Sequence, residues 1–404
     1  MNRRVFLKSG AMAMLSLGWA PSFLGRAAAA VGARRKLLIA IFQRGAVDGL
    51  NMIVPHGEAD YYRLRPTIAI PRPGGERMGS AIDLDGFFGL HPSMAPLKPL
   101  WDNHSLAIVH ACGSPDNTRS HFDAQDYMES ATPGLKATRD GWLNRYLQVS
   151  SEERNPLRGV ALARTMPRSL EGRAPALAIG SVDEFGVRGG GAAFEAQYES
   201  ATDPLLRAAG SDAFAAMRTL RQAAGTSYRP GADYPQTPFG KALAEIARLA
   251  KADVGLEVAF TELGNWDHHV NEGSVTGQIA TRLDEFSRGL AALAADLGDR
   301  LADTVIVTMS EFGRAAAENG NRGTDHGHGN AMMVIGGNVR GGVHGKWPGL
   351  AEGHRFEGRD LAVTTDFRDV FTDIVAGHMG VSRDGLSRIF PNYAASSSPG
   401  VIRA

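Results

Sequence analysis

The chain contains five short, continuous runs of apolar residues. Runs of this length that do not alternate with polar residues are typical of strands buried on both faces of a parallel sheet. We therefore predict five strands, over residues 36–42, 106–109, 256–260, 304–309 and 331–335.

Between the third and fourth runs the period changes from that of a strand to that of a helix. Apolar residues recur from Ile279 to Leu297 at alternating spacings of four and three, which is the stripe of an amphipathic helix. A strand, a helix and a strand in this order form a crossover that is almost always right-handed. The pattern predicts an α/β fold: a three-layer α/β/α sandwich with a mostly parallel central sheet.

Two segments depart from this pattern. Residues 150–235 are less periodic and rich in Gly, Pro, Ala and Arg, so we predict an insertion or cap region there, within a single domain over 31–393. The last residues, 394–404, are small and polar at first, and we predict a flexible tail.

The first thirty residues have the composition of an export signal. Arg3 and Arg4 open a basic segment, an apolar stretch follows over 11–20, and small residues occupy 27–30. A helix needs roughly 20 apolar residues to cross a bilayer, so this stretch is too short for an anchor. We predict a twin-arginine signal over 1–30. The twin-arginine machinery exports the chain, and a signal peptidase removes the signal. The mature protein is then periplasmic or secreted, with no membrane span.

Charge and cysteine content exclude some classes of function. The 404 residues carry 43 Lys+Arg against 43 Asp+Glu, a formal net charge of zero, whereas a dedicated nucleic-acid binder usually has a basic excess. Cys112 is the only cysteine, so the chain can form neither an internal disulfide nor a cysteine-based zinc cluster. We expect it to be a buried small residue.

Polar residues follow the predicted strands closely. Ligands of an open parallel sheet bind beyond the carboxyl ends of its strands, so these residues are candidates for a site. Their carboxylates and imidazoles suit a divalent metal, whether zinc, manganese, magnesium or calcium. The candidate ligands are Asp48, Asp267, His269, Glu311, Asp325, His326 and His328.

Each motif also has a simpler interpretation. Asp48 with Gly49 is a common turn pair, and Ser120 with Asp123 is a typical N-terminal cap for a helix over 121–130. A pair such as His268 and His269 is more often structural than catalytic. Their joint placement after successive strands favours a site.

From about Leu37 to Gly380 the chain resembles the exported bacterial domain-of-unknown-function 1501 family. The resemblance rests on several motifs: Gly45-X-X-Asp48-Gly49-Leu50-Asn51, residues 118–125 (TRSHFDAQ), Asn265-Trp266-Asp267-X-His269, residues 310–314 (SEFGR) and residues 325–329 (DHGHG). That family in turn is similar to a distant branch of the alkaline phosphatase and sulfatase superfamily. The resemblance implies a one- or two-metal site, a hydroxyl nucleophile that begins a helix, and hydrolysis of small-molecule or polymer esters of phosphate or a related acid.

Two departures from the superfamily pattern change what is expected. Glu311 and Phe312 stand where the superfamily usually has Asp and His, which removes one imidazole of a two-metal site. Cys112 lacks the spacing of the sulfatase signature, which argues against a formylglycine sulfatase. A metal-binding scaffold without catalysis is therefore the alternative. A serine esterase is disfavoured, because the chain has no Gly-X-Ser-X-Gly motif.

The catalytic roles implied for such a site can be assigned to residues. Ser114, Thr118 and Ser120 are all candidate nucleophiles, and Ser120 is favoured because the N-terminus of a helix attracts anions. Arg119 or Arg314 would clamp the oxygens of the ester, and His121 would be a ligand or a proton donor.

The signal assignment predicts the outcome of one double substitution. Replacing Arg3 and Arg4 with Lys keeps the positive charge but removes the paired arginines. We expect the full-length form to accumulate in the cytoplasm, as measured by cell fractionation. Continued export of the double variant would contradict the twin-arginine assignment.

Overall fold

A central sheet dominates the part of the chain that the computed structural model describes, residues 35–74, 79–151, 155–183, 191–224, 228–395 and 398–403. The predicted signal over 1–30 lies outside these residues. Among the described residues the sheet has nine strands. These strands are β1 Leu37–Gln43, β5 Leu106–Gly113, β6 Gly159–Leu162, β7 Leu177–Ile179, β8 Val258–Leu263, β9 Thr304–Met309, β10 Asn330–Gly336, β11 Gly342–His344 and β12 Thr365–Asp366. Three further strands, β2 Ile53–Val54, β3 Ile82–Asp83 and β4 Gly89–Leu90, form a small antiparallel sheet in the order β2-β4-β3.

The strand order is β11-β5-β10-β9-β1-β8-β6-β7, and β12 also pairs with β5. All pairings are parallel except those of β10, which runs antiparallel to both β5 and β9. The predicted mostly parallel sheet is confirmed.

The helices cover both faces of this sheet. In the described residues they are α1 Gly49–Met52, α2 Ala59–Leu64, α3 Lys98–Asp102, α4 His121–Ser130, α5 Trp142–Ser150, α6 Gly191–Glu199, α7 Pro204–Ala224, α8 Pro238–Lys251, α9 Gln278–Leu297, α10 Phe367–Gly377 and α11 Arg383–Ile389. Short 3₁₀ helices occupy Pro92–Leu97, Pro156–Arg158, Arg168–Leu170, Gly298–Asp303 and Glu352–His354.

Strand β1 shows why the fold has three layers. All seven of its residues are buried. Leu37, Ile39 and Ile41 pack with the apolar faces of α8 and α9, because alternate side chains of a strand point to opposite faces. Leu38, Ala40 and Phe42 pack instead with α5, α10 and α11. The predicted α/β/α sandwich is confirmed.

Most predicted elements occur close to their predicted positions. The predicted helix of 121–130 is α4, the apolar stripe is α9, and the fourth apolar run is β9. Strands β8 and β9 lie on either side of β1 and parallel to it, so the crossover through α9 passes over β1. Cys112 is fully buried.

Two segments differ from the prediction. Strands β6 and β7 lie within 150–235 and extend the sheet beyond β8, so this region is not only an insertion or cap. They have four and three residues, too few to show a period. The predicted tail also differs, because Val401 and Ile402 are buried and Arg340 donates its backbone N–H to Val401.

The register aligns the ends of the strands. Gln43 pairs with Leu263, and Phe42 pairs with Met309, so β1, β8 and β9 end at one edge. The antiparallel β10 begins there, since Asn330 pairs with Cys112 near the end of β5. The loops that carry the predicted site residues therefore leave the sheet together. No helix in the described ranges is long and apolar enough to cross a membrane.

Candidate metal centre

Three elements at this edge position four converging side chains. His121 is the first residue of α4, which Ser120 caps by accepting a hydrogen bond from the Asp123 N–H at 3.5 Å. Asp267 and His269 follow β8, and His326 precedes β10. The loop of His326 pairs with the segment after β9 through a bridge between Arg314 and His326.

The three imidazoles meet at their Nε2 atoms. His326 Nε2 lies 3.0 Å from His121 Nε2 and 2.9 Å from His269 Nε2. The Asp267 carboxylate joins them, with oxygens 3.0 Å from His269 Nε2, 3.3 Å from His326 Nε2 and 3.4 Å from His121 Nε2. Ligand atoms of His121, Asp267 and His326 all lie within 4.8 Å of one another, a grouping that could hold a metal ion. We call His121, Asp267, His269 and His326 the histidine centre.

The opposite nitrogen of each ring faces an oxygen. His121 Nδ1 donates to Glu311 Oε1 at 2.8 Å, and His326 Nδ1 donates to the backbone carbonyl of Arg119 at 2.8 Å. His269 Nδ1 lies 3.4 Å from Asp325 Oδ1. Because carboxylates and carbonyls only accept, the protons of the neutral His121 and His326 rings belong on Nδ1. The Nε2 atoms of these two rings then present their lone pairs to the histidine centre.

Two Nε2 lone pairs beside a carboxylate favour a cation between them. Without one, the Nε2 atoms of His121 and His326 would face each other 3.0 Å apart with no hydrogen to share. A proton or a metal ion removes this repulsion. An oxygen acceptor on the far nitrogen of a ligating histidine is also the usual support for a metal-bound imidazole.

The pKa values of the residues in the histidine centre shift in different directions. The hydrogen bond to Glu311 raises the pKa of His121, while burial lowers the pKa of His326. Burial would raise the pKa of Asp267, but the hydrogen bond and charge of Arg314 hold it below its ordinary value. Asp267 is therefore ionised at neutral pH, and an unprotonated His326 offers its lone pair.

Arg314 fixes Asp267 in place from inside the protein. Its side chain is fully buried, and Nη2 lies 2.6 Å from Asp267 Oδ1. Its other hydrogen bonds go to backbone carbonyls, those of Gly45, Ala46, Trp266 and Thr324. These bonds direct the guanidinium into the fold, whereas the sequence predicted it as a clamp on the ester.

Close backbone contacts around Arg314 depend on glycine. Gly45 has φ +112°, and a Cβ there would lie 2.9 Å from the backbone nitrogen of Asp267. A Cβ on Gly327 would lie 2.3 Å from the backbone carbon of Arg314. Gly45 thus lets the loops after β1 and β8 approach each other, and Gly327 does the same for the segments after β9 and before β10.

Glu311 supports His121 and is itself held by three donors. Its Oε1 accepts from His121, from the Gly45 N–H at 2.8 Å and from Gln125 Nε2 at 2.8 Å. Gln125 Oε1 in turn accepts from Arg44 Nη1 at 3.1 Å. Burial would raise the pKa of Glu311, but the hydrogen bonds, led by that of His121, lower it. The sequence predicted Glu311 as a ligand, and the structure places it behind one.

Asp325 has a similar position behind His269. It accepts from Asn319 Nδ2 at 3.0 Å, and this hydrogen bond lowers the pKa of Asp325. Of the predicted ligands, Asp267, His269 and His326 therefore converge, and Glu311 and Asp325 contact their rings or the ring of His121. The supporting role of Gln125 was not predicted, because only the turn of α4 brings it to the same side as His121.

Two predicted ligands lie elsewhere. The ring of His328 stacks on Phe356 with centroids 4.2 Å apart, and burial lowers its pKa. Asp48 forms an ion pair with Arg65, and both are buried; Arg65 Nη2 donates to Asp48 Oδ1 at 3.0 Å. The Asp48 carboxylate also caps α1 by accepting from the Leu50 N–H. Asp48 and His328, both predicted as ligands, therefore have other partners in the structure.

The remaining catalytic candidates occupy defined positions. Arg119 binds His326 through its backbone, and its guanidinium pairs with Glu357 and Asp360. Ser120 begins α4, as predicted. The hydroxyl of Ser114 accepts from the Asp116 N–H, and that of Thr118 accepts from the Ser120 N–H.

The chain is similar to one described protein family. The model of the family described as "Protein of unknown function (DUF1501)" matches residues 35–385. The chain belongs to this family. No curated protein matches it significantly.

Two solved structures are similar to this chain. One is the C-terminal periplasmic domain of EcEptC from Escherichia coli, a complex with Zn, at 11% identity and TM-score 0.42, covering 91% of this chain and 89% of that one. The other is the PsFucS1 sulfatase from Pseudoalteromonas sp., at 12% identity and TM-score 0.40, covering 98% of this chain and 77% of that one. Likenesses at this level do not bear on which chemistry the site performs.

A second carboxyl group lies beside Asp48. Glu272 is fully buried, and its Oε2 accepts from Thr324 Oγ1 at 2.8 Å. Burial, followed by the charge of Asp48, raises the pKa of Glu272 well above its ordinary value. Burial would also raise the pKa of Asp48, but Arg65 holds it low. One of the two carboxyls is thus charged, and the other keeps its proton.

This pair predicts a pH-dependent stability difference. Unfolded Glu272 ionises near pH 4.5 whereas the folded residue stays protonated, so its contribution to stability is full below that pH and is lost as pH rises. Asp48 is ionised in both states above about pH 5, so it adds no slope there. Relative to Glu272→Gln, the wild-type free energy of unfolding should fall as pH rises above about 5, by at most ~1.4 kcal/mol per pH unit.

Urea unfolding at a series of pH values measures this difference. Glu199→Gln changes an exposed glutamate and serves as the control, which should follow the wild type at every pH. Parallel curves for wild type and Glu272→Gln would mean that the buried Glu272 is ionised in the folded protein.

Proposed function

We propose that this protein is an exported, metal-dependent hydrolase of phosphate or related esters, with one divalent ion held by the histidine centre. The observation that carries the proposal is the convergence of three imidazole Nε2 atoms and one carboxylate, with each opposite Nδ1 facing an oxygen acceptor. The twin-arginine signal that the sequence predicts over 1–30 supports export.

The donor set fits a small tetrahedral ion. Zinc binds imidazole nitrogen at about 2.0–2.1 Å, which places ligand atoms on neighbouring corners of a tetrahedron about 3.3 Å apart. Five pairs of donor atoms in the histidine centre lie 2.9 to 3.4 Å apart. Three neutral imidazoles with one carboxylate also favour zinc over magnesium or calcium, which prefer an all-oxygen shell.

The charge of the surroundings supports a cation. Three carboxylates contact the imidazoles, those of Asp267, Glu311 and Asp325. Two guanidinium groups offset part of this charge, because Arg314 contacts Asp267 and Arg359 Nη2 lies 3.9 Å from Asp325 Oδ2. With neutral imidazoles the surroundings keep a net negative charge, which a bound metal ion would balance.

The residues around the histidine centre define the proposed chemistry. A divalent ion bound there would lower the pKa of a coordinated hydroxyl or water and screen charge on the ester. Ser120 is the proposed nucleophile, since it directly precedes His121 and its oxygen already accepts the Asp123 N–H at the start of α4. Arg119, which is partly exposed beside His326, is the proposed contact for the ester oxygens.

Two observations favour a single ion. Asp48 is neutralised by Arg65, and Glu311 is occupied by His121, Gln125 and the Gly45 N–H. Neither carboxylate is left to complete a second cation site. A single ion also agrees with the sequence, in which Glu311 and Phe312 stand where the superfamily usually has Asp and His.

The second candidate function is a metal-binding scaffold without catalysis. It is favoured by the hydrogen bonds that occupy candidate catalytic groups, because the Arg314 guanidinium is bound within the fold and the Ser120 hydroxyl serves as a helix cap. Both candidates require the same metal centre and differ only in turnover.

Three alanine variants test the assignment of ligand and nucleophile. His326→Ala removes one of four proposed ligands, so metal content should fall well below one ion per chain. Ser120→Ala should keep full metal content but reduce hydrolysis of an aryl phosphate by at least about a hundredfold, as expected when a covalent step is lost. Elemental analysis and initial rates on the same samples give both readouts.

His328→Ala is the matched control, because it removes an imidazole two residues from His326 that stacks on Phe356 instead. It should retain the metal. Loss of metal in His328→Ala but not in His326→Ala would contradict the proposed centre. Wild type with full metal and no turnover of phosphate mono- and diesters or sulfates would decide for the scaffold.

A further inference from the structure

Two guanidinium groups share one buried carboxylate at the rim of the histidine centre. Arg119 Nη2 lies 2.7 Å from Asp360 Oδ2, and Arg359 Nη1 lies 3.3 Å from Asp360 Oδ1. The Asp360 side chain is fully buried, whereas those of Arg119 and Arg359 are 31% and 40% exposed. Asp360 thus fixes two cations side by side and leaves part of each facing solvent.

These cations flank the histidine centre on two sides. The backbone carbonyl of Arg119 accepts from His326 Nδ1. Arg359 Nη2 lies 3.9 Å from Asp325 Oδ2, and the other oxygen of Asp325 lies 3.4 Å from His269 Nδ1. Arg119 thus contacts His326 through its backbone, and the Arg359 guanidinium lies near the carboxylate behind His269.

A second carboxylate also contacts Arg119. Glu357 Oε2 accepts from Arg119 Nη2 at 2.7 Å, and half of the Glu357 side chain is exposed. Glu357 also has φ +52°, in the left-handed region that non-glycine residues rarely adopt. Such backbone strain persists where the surrounding structure imposes it, often at ligand-binding positions.

We propose that Glu357 is an internal stand-in for the anionic group of the substrate, which displaces it from Arg119 and binds between Arg119 and Arg359. The inference rests on the proposed function, because it assigns the oxyanion subsite of the same centre. It assigns to Glu357 the role of a built-in competitor and to Arg359 that of a specificity residue.

The relative strength of the contacts makes this exchange possible. An ion pair between exposed groups contributes little, because water solvates both partners when it opens. Glu357 is such a partner, whereas Asp360 is buried and stays in place. An oxyanion that replaces Glu357 also restores the local charge, since one negative group leaves the guanidinium as another arrives.

Inorganic phosphate is the probe for this exchange, and calorimetric titration of the metal-loaded protein measures its Kd. Glu357→Gln keeps the size of the side chain but removes the competing charge, so phosphate should bind about two- to fivefold more tightly. Arg359→Gln removes one of the two cations and should weaken binding by about tenfold. Both shifts should shrink at high salt.

Glu352→Gln is the control, because it removes an exposed negative charge from the same segment of the chain. Because salt screens an exposed charge at this distance, the phosphate Kd should stay nearly unchanged. A Glu357→Gln protein that binds phosphate no more tightly than wild type, or a protein that binds no phosphate in any form, would overturn the inference.

Metal content measured on the same samples separates the two proposals. A wild type without metal would contradict the proposed function. The ratio of the phosphate Kd values of wild type and Glu357→Gln would still decide the role of Glu357.

Discussion

The buried guanidinium of Arg314 holds the candidate site together. It donates to the loop after β1, the loop after β8 and the segment before β10, and its own backbone follows β9. Each of these acceptors is withdrawn from water, so loss of the guanidinium would leave several buried oxygens unpaired, at about 1–3 kcal/mol each. The sheet brings four loops to one edge, and Arg314 fixes their mutual distances.

The same hydrogen bonds hold the imidazoles close together. With Asp267 held by Arg314, and with His121 and His326 held through their Nδ1 atoms, His326 Nε2 lies about 3 Å from the Nε2 atoms of both His121 and His269. The rings of His121 and His326 cannot turn away without breaking these hydrogen bonds. The fold therefore maintains a set of donors that could hold a metal ion, with oxygen acceptors behind the imidazoles as is usual at metal sites. The proposed hydrolase and the scaffold both build on this property.

The sheet edge could be predicted from the sequence because the pattern that marks it is local in the chain. A continuous apolar run identifies each long buried strand, and the polar residues that follow it are adjacent in the chain. Asp267, His269 and His326 could be predicted in this way. The roles of Glu311 and Asp325 could not, because whether a carboxylate contacts the ion or the far side of an imidazole depends on distances of a few ångströms.

Asp48 shows a different limit. Its neighbours in the chain fit a metal ligand, but Arg65 lies 17 positions away and no motif connects the two residues. The pairings of Asp360 with Arg119 and Arg359 depend likewise on tertiary structure. Strands β6 and β7 escaped prediction for a simpler reason, since three or four residues do not define a period.

X-ray absorption at the zinc edge of the zinc-loaded protein reports directly on whether the histidine centre binds the ion. We expect about four nitrogen or oxygen ligands at about 2.0–2.1 Å, with the outer-shell scattering of three imidazoles. A spectrum with no more than one imidazole, or with a six-coordinate oxygen shell, would contradict the assignment of His121, His269 and His326 to one ion.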